Sequence, residues 1–245
     1  MITLVPLALI ALVSAFIQGL TGFGFPLLAV PLFSFILPVR VAVPITTVLS
    51  LSVNAGLLRE VPNICPRRRE ALLILAAAVF TIPLGVVCLK YVETANIKIL
   101  LGAVALVCTF LLWAGLRLPM RRLTLWSLGI GLGCGFLAGL ANLAGPLLIL
   151  YLNNLELEKK VFRAFTVLMF TVMNGFSLVS SAVGGLVTGT VLLYALVMIP
   201  LVLLGTWLGT RLGGRVNEKV FRKLTLAILA ATSISTLISG ISALN

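Results

Sequence analysis

The sequence predicts an all-α polytopic membrane protein built as two inverted repeats, each a re-entrant half-helix hairpin followed by three transmembrane helices. Three observations predict this. Hydrophobic residues make up 61% of the 245 positions and charged residues 10%, where a water-facing surface needs about a quarter charged. Apolar runs of spanning length recur from end to end, at a mean hydropathy of +1.23, so the surrounding solvent is lipid. The chain also matches itself at an offset of 120 positions.

The first repeat, 1–120, opens with a broken apolar region, 3–37. Gly19-Leu20-Thr21-Gly22-Phe23-Gly24-Phe25-Pro26 divides it, and a helix from Pro26 to Leu37 would reach only ~18 Å, short of an apolar core of ~30 Å. Three unbroken runs follow at about 41–58, 71–91 and 97–116, each long enough to cross. The second repeat, 121–245, has the same order. Its broken region, 123–153, is divided by Gly139-Leu140-Ala141-Asn142-Leu143-Ala144-Gly145-Pro146, and spans follow at about 164–183, 187–210 and 220–241.

Charge selects hairpins over single crossings. If each broken region returns to the side it entered, Arg59, Arg67, Arg68, Arg69, Arg117, Arg121, Arg122, Lys159, Lys160, Arg163, Arg211, Arg215, Lys219, Arg222 and Lys223 share one face, and only Arg40, Lys90 and Lys98 share the other. One crossing per broken region spreads the same charges far more evenly. The positive-inside rule makes the basic face cytoplasmic and puts both termini outside, as in a multi-pass protein of a bacterial inner membrane. The net charge of +12 is thus an orientation signal; it lies in short clusters between apolar runs and forms no nucleic-acid stripe.

The internal match aligns 9–56 with 129–176 without a gap. Gly19 pairs with Gly139, Pro26 with Pro146, Thr46 with Thr166 and Asn54 with Asn174. These residue types are scarce in an apolar chain and fall at the breaks and mid-span, which points to duplication. An odd number of crossings per half inverts the second copy in the membrane. Irregular backbone at membrane depth must line a cavity or be buried in protein, so the breaks locate the site. Proline suits the start of a helix, whose free N–H groups and positive dipole end favour anions. The candidate substrate-binding residues are Thr21, Gly22, Phe23, Gly24, Asn142, Leu143, Ala144 and Gly145 at the breaks, with Asn54 and Asn174 facing them.

The stretch from Gly19 to Leu32, Gly-Leu-Thr-Gly-Phe-Gly-Phe-Pro-Leu-Leu-Ala-Val-Pro-Leu, resembles the first-half signature of the TauE/SafE sulfite-exporter family, within the toluene sulfonate uptake permease group. Gly145-Pro146-Leu147-Leu148-Ile149-Leu150-Tyr151-Leu152, followed by Phe162-Arg163-Ala164, is similar to that family's second hairpin and its exit. The resemblance covers nearly the whole chain and implies export of sulfite or small organosulfonates. Where the family's second hairpin is often glycine-rich, this chain has Ala141-Asn142-Leu143-Ala144; Asn142 adds an amide donor and acceptor to the cup.

Other classes fit poorly. There is no histidine and no aspartate, and Glu60, Glu70, Glu93, Glu156, Glu158 and Glu218 lie in or near connections, so acid–base catalysis lacks its usual residues. Cys65, Cys88, Cys108 and Cys134 have no CxxC spacing, so no metal site and no cofactor is expected. The expected partners are a small anionic substrate and membrane lipid. The ladders Gly131, Gly135, Gly139 and Gly205, Gly209, Gly213 would suit either a homodimer interface or close packing within one protomer. The charge count yields a topology prediction: in intact cells, with the other cysteines removed, Cys65 is expected to resist a membrane-impermeant thiol reagent, and Gly184-Gly185 to lie outside.

Overall fold

The computed structural model describes residues 4–59, 67–114, 123–155, 157–212 and 218–242. Cys65, Arg117, Arg121, Arg122, Gly213 and Arg215 lie outside the described residues, and with them the Cys65 topology expectation. Among the described residues ten helices follow one another: α1 (Leu4–Thr21), α2 (Phe25–Phe33), α3 (Val39–Leu58), α4 (Arg68–Tyr91), α5 (Thr94–Ala114), α6 (Leu123–Ala141), α7 (Gly145–Asn153), α8 (Lys159–Val183), α9 (Gly189–Leu212) and α10 (Glu218–Ser242). No strand occurs among the described residues.

Among the described residues seven helices are long and apolar enough to cross a membrane: α1, α3, α4, α5, α6, α8 and α9. The protein is therefore all-helical and membrane-spanning by length and composition. Five of the six expected spans are among the seven. The sixth falls in α10, whose described apolar stretch, Ala230–Ser242, is shorter. Large apolar side chains such as Leu72, Phe80, Leu196 and Val183 point outward, while Gln18, Thr46, Thr47, Ser50 and Asn54 are buried. That distribution suits lipid outside and a polar interior.

The two broken regions depart from the expected pair of half-helices. The second pieces, α2 and α7, have nine residues each, or ~13 Å. The first pieces do not stop halfway: α1 has 18 residues and α6 has 19, or ~27 Å and more. Their neighbours supply the reason. On α6, a side chain at Gly131 would meet Ile74, at Gly135 Ala78 and at Gly139 Ile82, so α6 runs parallel to α4 with backbones in contact. On α9, Gly205 faces Leu12 and Gly209 faces Phe16 and Gly19, so α1 runs parallel to α9 in the same way. The glycine ladders are thus filled from within the chain.

Packing partners exchange when the halves are exchanged. The pairings α4 with α6 and α1 with α9 are related by swapping the first five helices for the last five, as are α3 with α9 and α4 with α8, and α2 with α10 and α5 with α7. α3 packs on its own counterpart α8, and α5 on its counterpart α10. The boundaries repeat as well: α2 and α7 start and stop at positions 120 apart.

Close crossing predicts a sharp contrast on one helix. A Cβ at Gly139 would strike the Ile82 carbonyl oxygen, whereas a Cβ at Gly129 meets nothing within 4 Å. Gly139→Ala is expected to destabilise the detergent-solubilised protein by ~1–3 kcal/mol, while Gly129→Ala should be neutral or stabilising by up to ~1 kcal/mol. Thermal unfolding of the two variants checks this, and equal melting temperatures would remove the crossing.

Candidate functional site

Each break begins with a helix end that needs a left-handed residue. After α1, Gly22 adopts φ 84° and its N–H donates to the Gln18 carbonyl at 2.7 Å. After α6, Asn142 adopts φ 57° and its N–H donates to the Ala138 carbonyl at 3.0 Å. Both are αL caps, filled by the two residue types that tolerate them best. Side chains from α8 complete the two ends: Arg163 Nη2 donates to the Gly19 carbonyl at 3.1 Å, and Ser177 Oγ donates to the Ala138 carbonyl at 3.2 Å. The breaks then diverge. Gly24 takes a second positive φ, 109°, whereas its counterpart Ala144 is helical at φ −64°.

Between the breaks lies a small cavity. It is framed by Gln18 on α1, Gly24, Pro26 and Leu27 at the start of α2, and Ser50 and Asn54 on α3. From the other half come Asn142, Ala144 and Gly145 at the second break, and Phe170 and Asn174 on α8. The centre of a water-sized sphere has about 20 Å³ in which to move, room for about one water. No lining residue carries a charge.

The polar side chains here are held by specific bonds. Phe25 N donates to Gln18 Oε1 at 3.0 Å, and Gln18 Nε2 donates to Asn54 Oδ1 at 2.7 Å. Asn142 Nδ2 donates to Ser50 Oγ at 3.1 Å, which leaves the Ser50 hydroxyl proton to donate elsewhere. Asn54 is 1% exposed and its Nδ2 has no partner. A buried donor left unmade costs ~1–3 kcal/mol, so this atom awaits an acceptor.

Of the residues expected from the sequence, Gly24, Asn54, Asn142, Ala144, Gly145 and Asn174 line the cavity. Four others do not. Thr21 turns back on its own chain, donating from Oγ1 to the Ile17 carbonyl at 2.9 Å. A side chain at Gly22 would meet Arg163. Phe23 and Leu143 pack in the apolar core. The repeated pair Thr46 and Thr166 also serves its own helices, through bonds to the Val43 and Phe162 carbonyls. Gln18, Pro26, Leu27, Ser50 and Phe170 were not expected at the cavity. Gln18 carried a signal, because an amide within an apolar run needs buried partners.

The family model described as Sulfite exporter TauE/SafE matches residues 7–236. The chain belongs to the TauE/SafE family. No curated protein and no solved structure matches it. With its seven apolar helices, this TauE/SafE member is a multi-pass membrane protein of a transporter family. The resemblance carried by Gly19–Leu32 and by Gly145–Leu152 therefore holds, and the match includes every residue that lines the cavity.

Asn142 does two jobs in this TauE/SafE chain, a backbone one and a side-chain one. Asn142→Gly removes only the bond to Ser50, whereas Asn142→Ala also forces a Cβ-bearing residue with no local hydrogen bond into the left-handed region, at a cost of ~1–2 kcal/mol. Asn142→Ala is therefore expected to melt lower than Asn142→Gly. The reverse order in thermal unfolding would mean that the positive φ is not required at the second break.

Proposed function

We propose that this TauE/SafE protein exports a small anion, sulfite or a short organosulfonate, by alternating access around the cavity between the two breaks. The observation that carries this reading is the buried, unpartnered Asn54 Nδ2, in a cavity with no carboxylate and with helix starts at α2 and α7 beside it. Such surroundings reward an acceptor with negative charge. The family description, sulfite exporter, points to the same chemistry.

The exchange of packing partners supports alternating access. Five helices per half that alternate in direction reverse the second half relative to the first, and the parallel runs of α6 on α4 and α1 on α9 agree with that reversal. The two breaks are then re-entrant hairpins of an inverted repeat, and rocking one half against the other opens the site to each side in turn. The cavity, with room for about one water, suits an occluded state that widens to admit a substrate. Export agrees with the membrane potential: an inside-negative potential favours outward movement of one negative charge by ~2.3 kcal/mol per 100 mV. A passive channel through the same cavity is the competing reading; preloaded vesicles separate them, since an exchanger shows counter-transport and a pore does not.

Calorimetry with sulfite on monodisperse protein tests the site. Asn142→Asp keeps a residue type that tolerates positive φ but sets a carboxylate in the cavity, so it should bind at least about tenfold more weakly than Asn142→Gly. Affinity equal to wild type in Asn142→Asp would mean that the second break does not contribute to the site.

A further inference from the structure

Gln18 joins two elements of the cavity, and its first bond dictates its second. A backbone N–H only donates, so the atom that Gln18 turns to Phe25 N, at 3.0 Å, is its oxygen. The atom facing α3 is then the amide nitrogen, and it donates to Asn54 at 2.7 Å. Asn54 has to meet it with Oδ1, which turns Nδ2 away, buried and without a partner among the lining residues. The chain Phe25 N–H, Gln18, Asn54 thus runs in one direction and ends on an unpaired donor of a residue that lines the cavity.

We propose that Gln18 is a positioning residue that fixes the sign of the cavity: anchored on the Phe25 amide, it compels Asn54 to present donors, so the site takes the acceptor-only face of a sulfite- or sulfonate-type oxyanion and rejects groups that must donate, such as ammonium ions or protonated acids. This rests on the reading of the cavity as an anion site and adds the residue that sets its selectivity. Among the described residues the second half shows no such relay. Position 138, the counterpart of Gln18, is alanine, and Asn174 lines the cavity without an equivalent anchor.

Glutamate at position 18 separates polarity from bulk. Ionised, it only accepts: it takes the Phe25 N–H and draws the Asn54 NH₂ toward itself, which turns Oδ1 to the ligand. Protonated, its carbonyl accepts from Phe25 and its O–H donates to Asn54, the same pattern as the native amide. No native lining residue titrates, and the charged side chain set against the end of α1 is Arg163, on the Gly19 carbonyl.

The experiment is calorimetry of purified full-length protein with methanesulfonate, whose charge is constant across the range in which a buried carboxylic acid titrates. Wild type should bind independently of pH. Gln18→Met should bind about tenfold more weakly at every pH. Gln18→Glu should bind more weakly still at neutral pH and, as pH falls, recover past Gln18→Met toward wild type with the uptake of one proton. Loss of the negative charge alone would bring it no further than Gln18→Met. The proposal is overturned if Gln18→Met binds as wild type does, or if acidified Gln18→Glu binds no better than Gln18→Met. Should Gln18→Met fail to fold, absence of acid recovery in Gln18→Glu overturns it. If wild type takes no methanesulfonate, or Asn54→Leu binds like wild type, the anion-site reading fails and this proposal with it; if Asn54→Leu loses binding while Gln18→Met keeps it, the role of Gln18 alone is wrong.

Discussion

A helix that stops inside a low-dielectric interior frees carbonyls at its end and amides at the start of the next helix, and no water is at hand to take them. This chain breaks a helix twice in that way, and the fold around the breaks answers those freed groups. The last turn of α1 is closed by the N–H of Gly22 and by Arg163. The last turn of α6 is closed by the N–H of Asn142 and by Ser177. Both side-chain partners come from α8, so one helix ties down the two breaks. The first amide of α2 is taken by Gln18. Each of these bonds also fixes where a cavity wall stands.

Depth follows from a second constraint, the thickness of the helices. A first arm that ends against a break must lie close to its neighbour to leave room for the second arm. Glycine makes this close approach available at Gly131, Gly135 and Gly139 of α6, against α4, and at Gly205 and Gly209 of α9, against α1. In lipid, where tails are as apolar as leucine, such backbone contact is the main source of helix association. The ladder sits on the broken helix in the α4–α6 pair and on the partner helix in the α1–α9 pair, so the exchange of packing is kept although the sequences differ.

Much of this was legible in the sequence, for physical reasons that also explain what was not. Breaks inside apolar runs need glycine, asparagine or proline, so their positions stood out, and α2 and α7 start where Pro26 and Pro146 said they would. Asn54 and Asn174 were readable because an amide at membrane depth needs a partner or a ligand, and both reach the cavity. Gly131, Gly135 and Gly139 were readable as a close-packing ladder, but the sequence alone could not separate a subunit interface from packing within one protomer; the partner helix α4 does. Thr21 shows how sequence can mislead. A hydroxyl beside a glycine turn resembles a ligand group, but in three dimensions it bonds the backbone of its own turn. Ser50 and Phe170 gave no local signal at all, since a serine or a phenylalanine within a spanning helix is unremarkable until its face is known.

The cavity is less symmetric than the scaffold that holds it. Gln18, Ser50 and Asn54 from the first half line it with amides and a hydroxyl, and their counterparts at the 120-residue offset are Ala138, Phe170 and Asn174. The breaks differ in the same sense: Gly22 and Gly24 both take positive φ, whereas the second break has one such residue, Asn142, followed by helical Ala144. In the proposed alternating-access reading, a scaffold with exchanged halves gives two arrangements of similar energy, one open to each side. In that reading a small anion bound between them has no reason to share the symmetry. It is stabilised by donors from whichever half supplies them, and each buried donor must be oriented by a bond at its far end or it will turn toward the protein instead. The orienting bonds are concentrated on α1 and α3, with Asn142 as the second half's contribution.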